Sequence, residues 1–273
     1  MSDNGKIIAV LVVIAALLVG GYGGLVMSTG LTSPFSSVMS ESMQHDDTRS
    51  SIGCIDTGDT VIVALPEKTE IQSYIEGSHS GFSTFGDYGS VVIYEHWSNK
   101  NPVIHRAIVW LDYNPATDTW SAPSLKNYEG EWHDSSFDKD CMDLHGTLVF
   151  SDITQSHKNV SFNLDSLQNK ASGFLTLGDN PVTNNSFDQS SPGSYLVSMD
   201  KINSVAIHEL PWIASLKILL KNDGDNLEKV PNSIPSLFMA LILLVAVLII
   251  LDLFSVRKNT NEIEEELKKM EKL

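Results

Sequence analysis

Apolar residues are distributed along this chain in three different ways. At each end they are continuous: neither Ile7 to Met27 nor Pro235 to Leu251 contains a charged residue. A helix rises 1.5 Å per residue, so about 20 apolar residues cross the hydrocarbon core of a bilayer. These runs predict membrane helices over 7–27 and 235–254, with Asp252 closing the uncharged part of the second. Between them, over 28–222, the pattern breaks into short runs rich in β-branched and aromatic residues. "GDTVIVAL" (58–65), "GSVVIYEHW" (89–97), "PVIHRAIVWLDY" (102–113), "GTLVFSDI" (146–153) and "GSYLVSMD" (193–200) are predicted strands, each bounded by Gly, Pro, Asn or Asp. "GFLTLGDNP" (173–181) is a further short strand that breaks into a turn. No long 3.6-residue period separates them, so the expected fold is a mainly β domain flanked by one N-terminal and one C-terminal transmembrane helix.

The remaining segments are polar or amphipathic. Residues 112–145 are rich in Asp, Ser, Asn and Trp and read as an acidic insertion of the β domain. "PWIASLKILLKN" (211–222) predicts a short amphipathic helix at the membrane surface, followed by a linker over 223–234. After the second span, "EIEEELKKMEKL" sets Ile263, Leu267 and Met270 on one face and pairs Glu264 with Lys268 and Glu265 with Lys269. That spacing predicts a charged helix within 255–273.

A cleaved secretory signal also carries an apolar core behind a lysine, as Lys6 stands here, and Gly20, Gly21, Gly23 and Gly24 could precede a cut. Asp3 and the length of the run favour an uncleaved anchor. For orientation, only Lys6 precedes the first span, whereas Arg257, Lys258, Lys268, Lys269 and Lys272 follow the second. This bias puts residues 1–6 and 255–273 in the cytoplasm and the β domain outside the cell membrane. Lys217, Lys221 and Lys229, just before the second span, reduce the contrast. A net charge of −16 over 273 residues disfavours nucleic acid as a partner, since that role needs a basic surface.

Cys54 and Cys141 both fall in the outside domain, where a disulfide is chemically available, and the sequence leaves their pairing open. His133, Cys141 and His145 do not match the spacing of a closed zinc site and read instead as part of a solvated acidic loop. No metal or other cofactor is expected.

Chemistry enters at "SVMSESMQHDD" (37–47), just beyond the first span, where Ser40 and Ser42 have no base beside them. Strand alternation in "VIHRAIVW" puts His105 on one face with Val103, Ala107 and Val109, and Arg106 on the other. Taken alone, His105 is more often a structural residue, and the GDN of "FLTLGDN" is ordinary turn chemistry. In their order, however, "SVMSESM", "GDTVIVAL", "VIHRAI" and "FLTLGDN" resemble the boxes of type I signal peptidase, in its archaeal and endoplasmic-reticulum branch. "INSVAIHELPWIASLKILL" is similar to that family's closing box.

The resemblance implies a membrane-bound serine endopeptidase that removes N-terminal signal peptides from exported preproteins after small residues. It assigns Ser42 as nucleophile, His105 as general base, and Asp179 and Asp188 as the two acidic residues, with Ser40 as an oxyanion-hole candidate. A base must take the serine's proton, and histidine titrates near neutrality. A carboxylate then fixes the imidazole's tautomer. Asp188 is expected to be the closer partner of His105, and Asp179 to hold its own turn through backbone N–H groups.

The partners so implied are preprotein signal peptides and membrane lipid, close to the translocon. Two positions depart from the family's Ser-Gly-Ser-Met-x-Pro pattern: Glu41 stands for glycine and His45 for proline. His45 is expected to be solvated or near lipid headgroups. A non-catalytic, membrane-tethered binding domain derived from the same family is the alternative. A self-cleaving regulator is disfavoured by the two spans.

Overall fold

The computed structural model describes residues 3–135, 140–221 and 224–270. Its N-terminal helix α1 (Asp3–Thr29) and C-terminal helix α4 (Ser233–Met270) enclose an antiparallel β body. The strands used below are β1 (Phe35–Ser37), β2 (Thr60–Ala64), β3 (Val91–Glu95), β4 (Pro102–Asn114), β5 (Thr119–Ser121), β6 (Glu131–His133), β7 (Thr147–Ile153), β8 (Lys158–Asn163), β9 (Gly173–Leu177) and β10 (Ile202–Leu210). The short helices between them include α2 (Tyr74–Ser80) and α3 (Ser215–Leu220). Helix accounts for 34% of the structure and strand for 26%, so the chain taken whole is mixed rather than mainly β. The reason is length: α1 and α4 together hold 27 and 38 residues, while each strand is short.

Both terminal helices contain stretches long and apolar enough to cross a membrane, Ile8–Thr29 and Ser233–Arg257. Their side chains are almost wholly exposed, which a soluble core helix would not allow. The second helix begins two residues before the predicted span and continues without a break to Met270. The expected linker over 223–234 therefore ends early, and it contains a helical turn at Gly224–Glu228. The side chains of the Glu264–Lys268 and Glu265–Lys269 pairs lie outside the described residues.

The main sheet runs in the order β1-β2-β10-β3-β4-β9, and β5 pairs with the far end of β4. It is apolar on both faces. Along β3, Val91 and Ile93 enter one cluster with Val38, Met43, Ile55, Val61 and Val63. Val92 and Tyr94 enter another with Ala107, Phe174 and Val205 on the opposite face. The alternation of side chains along a strand explains how one run of apolar residues serves two cores.

Four expectations change. First, the described part of the 112–145 insertion has structure of its own: β5 pairs with the end of β4, Pro123–Asn127 forms a 3₁₀ turn, and β6 joins a second sheet, β8-β7-β6. Trp120, Leu125, Cys141 and Leu144 are fully buried there, which is what the scattered apolar residues in a polar segment were for. Cys141 is thus a core residue while His133 and His145 are exposed, and Cys54 and Cys141 are not joined by a disulfide. Among the described residues no group of His, Cys, Asp or Glu is placed to hold a metal ion.

Second, 193–200 is not a strand; only Val197 bridges to β9, exchanging both backbone hydrogen bonds with Phe174 at 2.9 and 3.0 Å. Third, the pairing of β9 with β4 shifts between Leu175–Val109 and Thr176–Ala107, leaving Ile108 as an extra residue. That bulge turns Val109 away from the His105 face, and both Ile108 and Val109 pack into the largest core. Fourth, α2 appears where no periodicity was read, stabilised by a capping box between Ser73 and Glu76. Helix α3 occupies part of the predicted 211–222 segment, burying Ile218 and exposing Leu216, Leu219 and Leu220.

Candidate active site

The loop that carries Ser42 leaves β1 and is held at both ends by apolar burial, through Val38 and Met43. Its tip rests on the turn that follows β9. The Asn180 N–H donates to the Ser42 carbonyl (2.9 Å), and the Asn180 side-chain amide donates to the Glu41 carbonyl (2.9 Å). The approach is close enough to require glycine at 178, because a Cβ there would lie 2.6 Å from the Ser42 carbonyl oxygen. Ser42 Oγ and Ser40 Oγ are 3.4 Å apart. The GDN sequence is therefore more than turn chemistry: its glycine and asparagine dock the serine loop.

His105 is buried on β4, directly across from Val92 of β3. Its Nδ1 lies 2.7 Å from Asp188 Oδ2. The same carboxylate oxygen accepts from Tyr94 Oη (2.6 Å) and Thr176 Oγ1 (2.7 Å). Thr176 is itself fixed by Gln189, whose side chain accepts from the Thr176 N–H and donates to its hydroxyl, both at 3.0 Å. Burial raises the Asp188 pKa, but the charge and hydrogen bond of His105, with Tyr94 and Thr176, outweigh it and hold the carboxyl below its ordinary range. Asp188 is thus an ionised acceptor clamped by three donors, and it leaves Nε2 of His105 for another partner.

Asp179 sits one residue from the docking asparagine but faces the other side of β4. Arg106, fully buried, donates from Nε to Asp179 Oδ1 (2.9 Å) and from Nη2 to Oδ2 (2.5 Å). Nη1 of Arg106 meets the carbonyls of Thr84 (3.1 Å), Tyr88 (3.0 Å) and Gly89 (3.1 Å). Burial disfavours the Asp179 carboxylate, yet Arg106 and His45 overcome it and drive its pKa far below the usual range. The expected backbone role of Asp179 is therefore replaced by a side-chain one: its partners are a guanidinium and an imidazole. His45 is not solvated either. Its Nε2 is 3.2 Å from Asp179 Oδ2 and its Nδ1 is 3.1 Å from Cys54 Sγ.

Lys158 of β8, buried, donates from Nζ to the Gly178 carbonyl (2.6 Å), and burial pulls its pKa down to about 8 against the pull of Asp179 and Asp188. Glu41 pairs with Lys229 at 2.6 Å. Lys229 and Asn226, from the segment before α4, line a cavity of about 450 Å³ together with Ser40 and Ser42. On the other side of Ser40, a groove of about 220 Å³ runs between Ser36–Ser40 and the start of β4, Pro102 to Ile104.

Sequence reading missed Tyr94, Thr176, Asn180 and Lys158. Tyr94 carried a signal in sharing a strand face with Val92 and so with His105, and Thr176 and Asn180 lie within the "FLTLGDN" segment already singled out. No family model matches this chain, and no curated protein matches it either.

Proposed function

We propose that this protein is a membrane-anchored serine endopeptidase of the signal peptidase type, acting on exported preproteins. The observation that carries the reading is the His105–Asp188 contact at 2.7 Å, on a strand whose first residues share a groove with the serine-bearing loop. In the proposed mechanism His105 Nε2 takes the Ser42 proton, the alkoxide attacks the scissile carbonyl, and Asp188 stabilises the imidazolium through Nδ1. His105 then returns the proton to the departing amine. The Ser42 N–H and the Ser40 hydroxyl, whose oxygen is 3.4 Å from Ser42 Oγ, are the donors offered to the tetrahedral oxyanion in this reading.

The substrate would bind as a strand. β1 ends the main sheet and is paired only to β2 among the described residues, so its free edge offers main-chain hydrogen bonds to an extended segment. A groove of about 220 Å³ suits small side chains before the cut. Ser42 lies shortly beyond the apolar part of α1, which suits a bond that emerges at a membrane surface. Both termini are cytoplasmic in this reading.

The specific observation behind a second, non-catalytic reading is Glu41, a charged residue beside the oxyanion position. Its pairing with Lys229 weakens that objection by neutralising the charge. Cleavage of a preprotein by the detergent-solubilised full chain decides between the two. Wild type is expected to cut after a small residue, and Ser42→Ala and His105→Ala are each expected to abolish the cut. Cleavage by Ser42→Ala at the wild-type rate refutes the assignment.

A further inference from the structure

A second set of side chains with nucleophile, base and acid in sequence lies on the opposite face of β4 from His105. Cys54 Sγ is 3.1 Å from His45 Nδ1, and His45 Nε2 is 3.2 Å from Asp179 Oδ2. Asp179 is ionised and immobilised by buried Arg106. Asp179 therefore faces Nε2 of His45 and leaves Nδ1 aimed at the sulfur, where it takes and holds the thiol proton. The space is shaped around the pair: a Cβ on Gly86 would come within 3.0 Å of His45 Cε1 and 3.5 Å of Cys54 Sγ. Cys54 is only partly buried, whereas Cys141 is sealed in the largest core. None of these contacts uses Ser42, His105 or Asp188.

We propose that Cys54, with His45 as its base and Asp179 as the group that orients His45, is a reactive-thiol site that forms mixed disulfides with small disulfide compounds. The Cys54 proton passes to His45 Nδ1. The sulfur attacks one sulfur of the incoming disulfide, the S–S bond breaks, and the leaving thiolate takes up the proton from His45. One disulfide is exchanged for another, and no external oxidant is consumed.

The surroundings select the charge of the reagent. Asp46 lies on the serine loop beside Arg49, Asp56 on the turn after Cys54, and Glu209 on β10, where it accepts from the Gly53 N–H; Asp59, its pKa pushed up to about 8 by burial, adds little charge at pH 7. Arg106 is the facing cation, and Asp179 consumes it. Neutral or cationic disulfides are favoured over anionic ones such as those with free carboxylates. Burial alone would lower the His45 pKa; the bonds to Asp179 and Cys54 raise it to about 9 instead, so the proton is well held once transferred.

The test uses 2,2′-dipyridyl disulfide, an uncharged probe, on the full chain in detergent at pH 7, following released thiopyridone. One fast equivalent is expected, mapped to Cys54 by peptide mass and absent in Cys54→Ser. Native Cys54 should react about tenfold faster than the same residue in the urea-unfolded chain, because only the folded chain holds His45 within 3.1 Å of the sulfur to take its proton. His45→Gln should lose about that factor while Cys141 stays unreacted, which reports that the variant is folded. If His45→Gln exposes Cys141, the native-against-unfolded comparison in wild type decides by itself. A native Cys54 no faster than the unfolded one, or a folded His45→Gln that reacts at the wild-type rate, overturns the proposal.

Discussion

Replacing Asp179 by asparagine perturbs the most enclosed charge pair in the described structure. Arg106 and Asp179 are 0% and 1% exposed. The substitution keeps the shape and one acceptor but deletes the charge that offsets a buried guanidinium. The four backbone carbonyls around Arg106 Nη1 solvate it only in part. Breaking a buried pair by removing one partner costs roughly 3–5 kcal/mol, because the survivor stays buried and charged. Removing both charges is cheaper, because no unpaired charge stays buried, although the four carbonyls then lose Nη1. Asp179→Asn should therefore lower the unfolding free energy by roughly 3–5 kcal/mol. Arg106→Met combined with Asp179→Asn should recover a large part of that loss. The assay is urea unfolding in detergent micelles, followed by tryptophan fluorescence, for the two single variants and the double. A single-variant cost below about 1 kcal/mol, the range of an exposed pair, would refute the argument. So would strict additivity of the two substitutions.

Asp188→Asn should behave differently, because its amide oxygen still accepts from Tyr94 and Thr176. A stability loss of about 1–2 kcal/mol is expected, with turnover of a preprotein down by as much as about 10⁴-fold through loss of the correct His105 tautomer; unchanged turnover would remove Asp188 from the mechanism. His45 has a folded pKa of about 9, above its ordinary 6.5, so its contribution to stability is complete below pH 6.5 and is lost as pH rises through 9. The difference in urea midpoint between wild type and His45→Gln should therefore shrink from pH 6 to pH 10, and a pH-independent difference counts against the charged imidazole. For topology, protease added to intact cells should cut the outside domain and spare an epitope fused after Leu273; digestion of that epitope in sealed cells contradicts a cytoplasmic C-terminus.

The two apolar helices were legible from sequence because a continuous run of about 20 apolar residues needs no partner to be recognised. Most strands were legible too, since β-branched runs between glycines and asparagines are local signals. Ser42, His105, Asp179, Asp188 and Ser40 could be singled out by type and order. What each one touches could not. A bulge of one residue in β4 redirects Val109, and single-strand periodicity cannot see a pairing register set by β9. The burial of Trp120, Leu125, Cys141 and Leu144 was hidden because these few apolar residues pack across sequence separations that no local pattern records.

The aspartates divide for the same reason. Successive residues of a strand point to opposite faces, so neighbours His105 and Arg106 open two separate polar sites. One side joins His105 to Asp188, Tyr94 and Thr176; the other joins Arg106 to Asp179, His45 and Cys54. Sequence alone determined which ionisable side chains were available. Only the pairing of β3, β5 and β9 with β4, and the docking of the loops that carry His45, Asp179 and Asp188, decided which carboxylate met which base, because those contacts span 73 to 134 residues of chain.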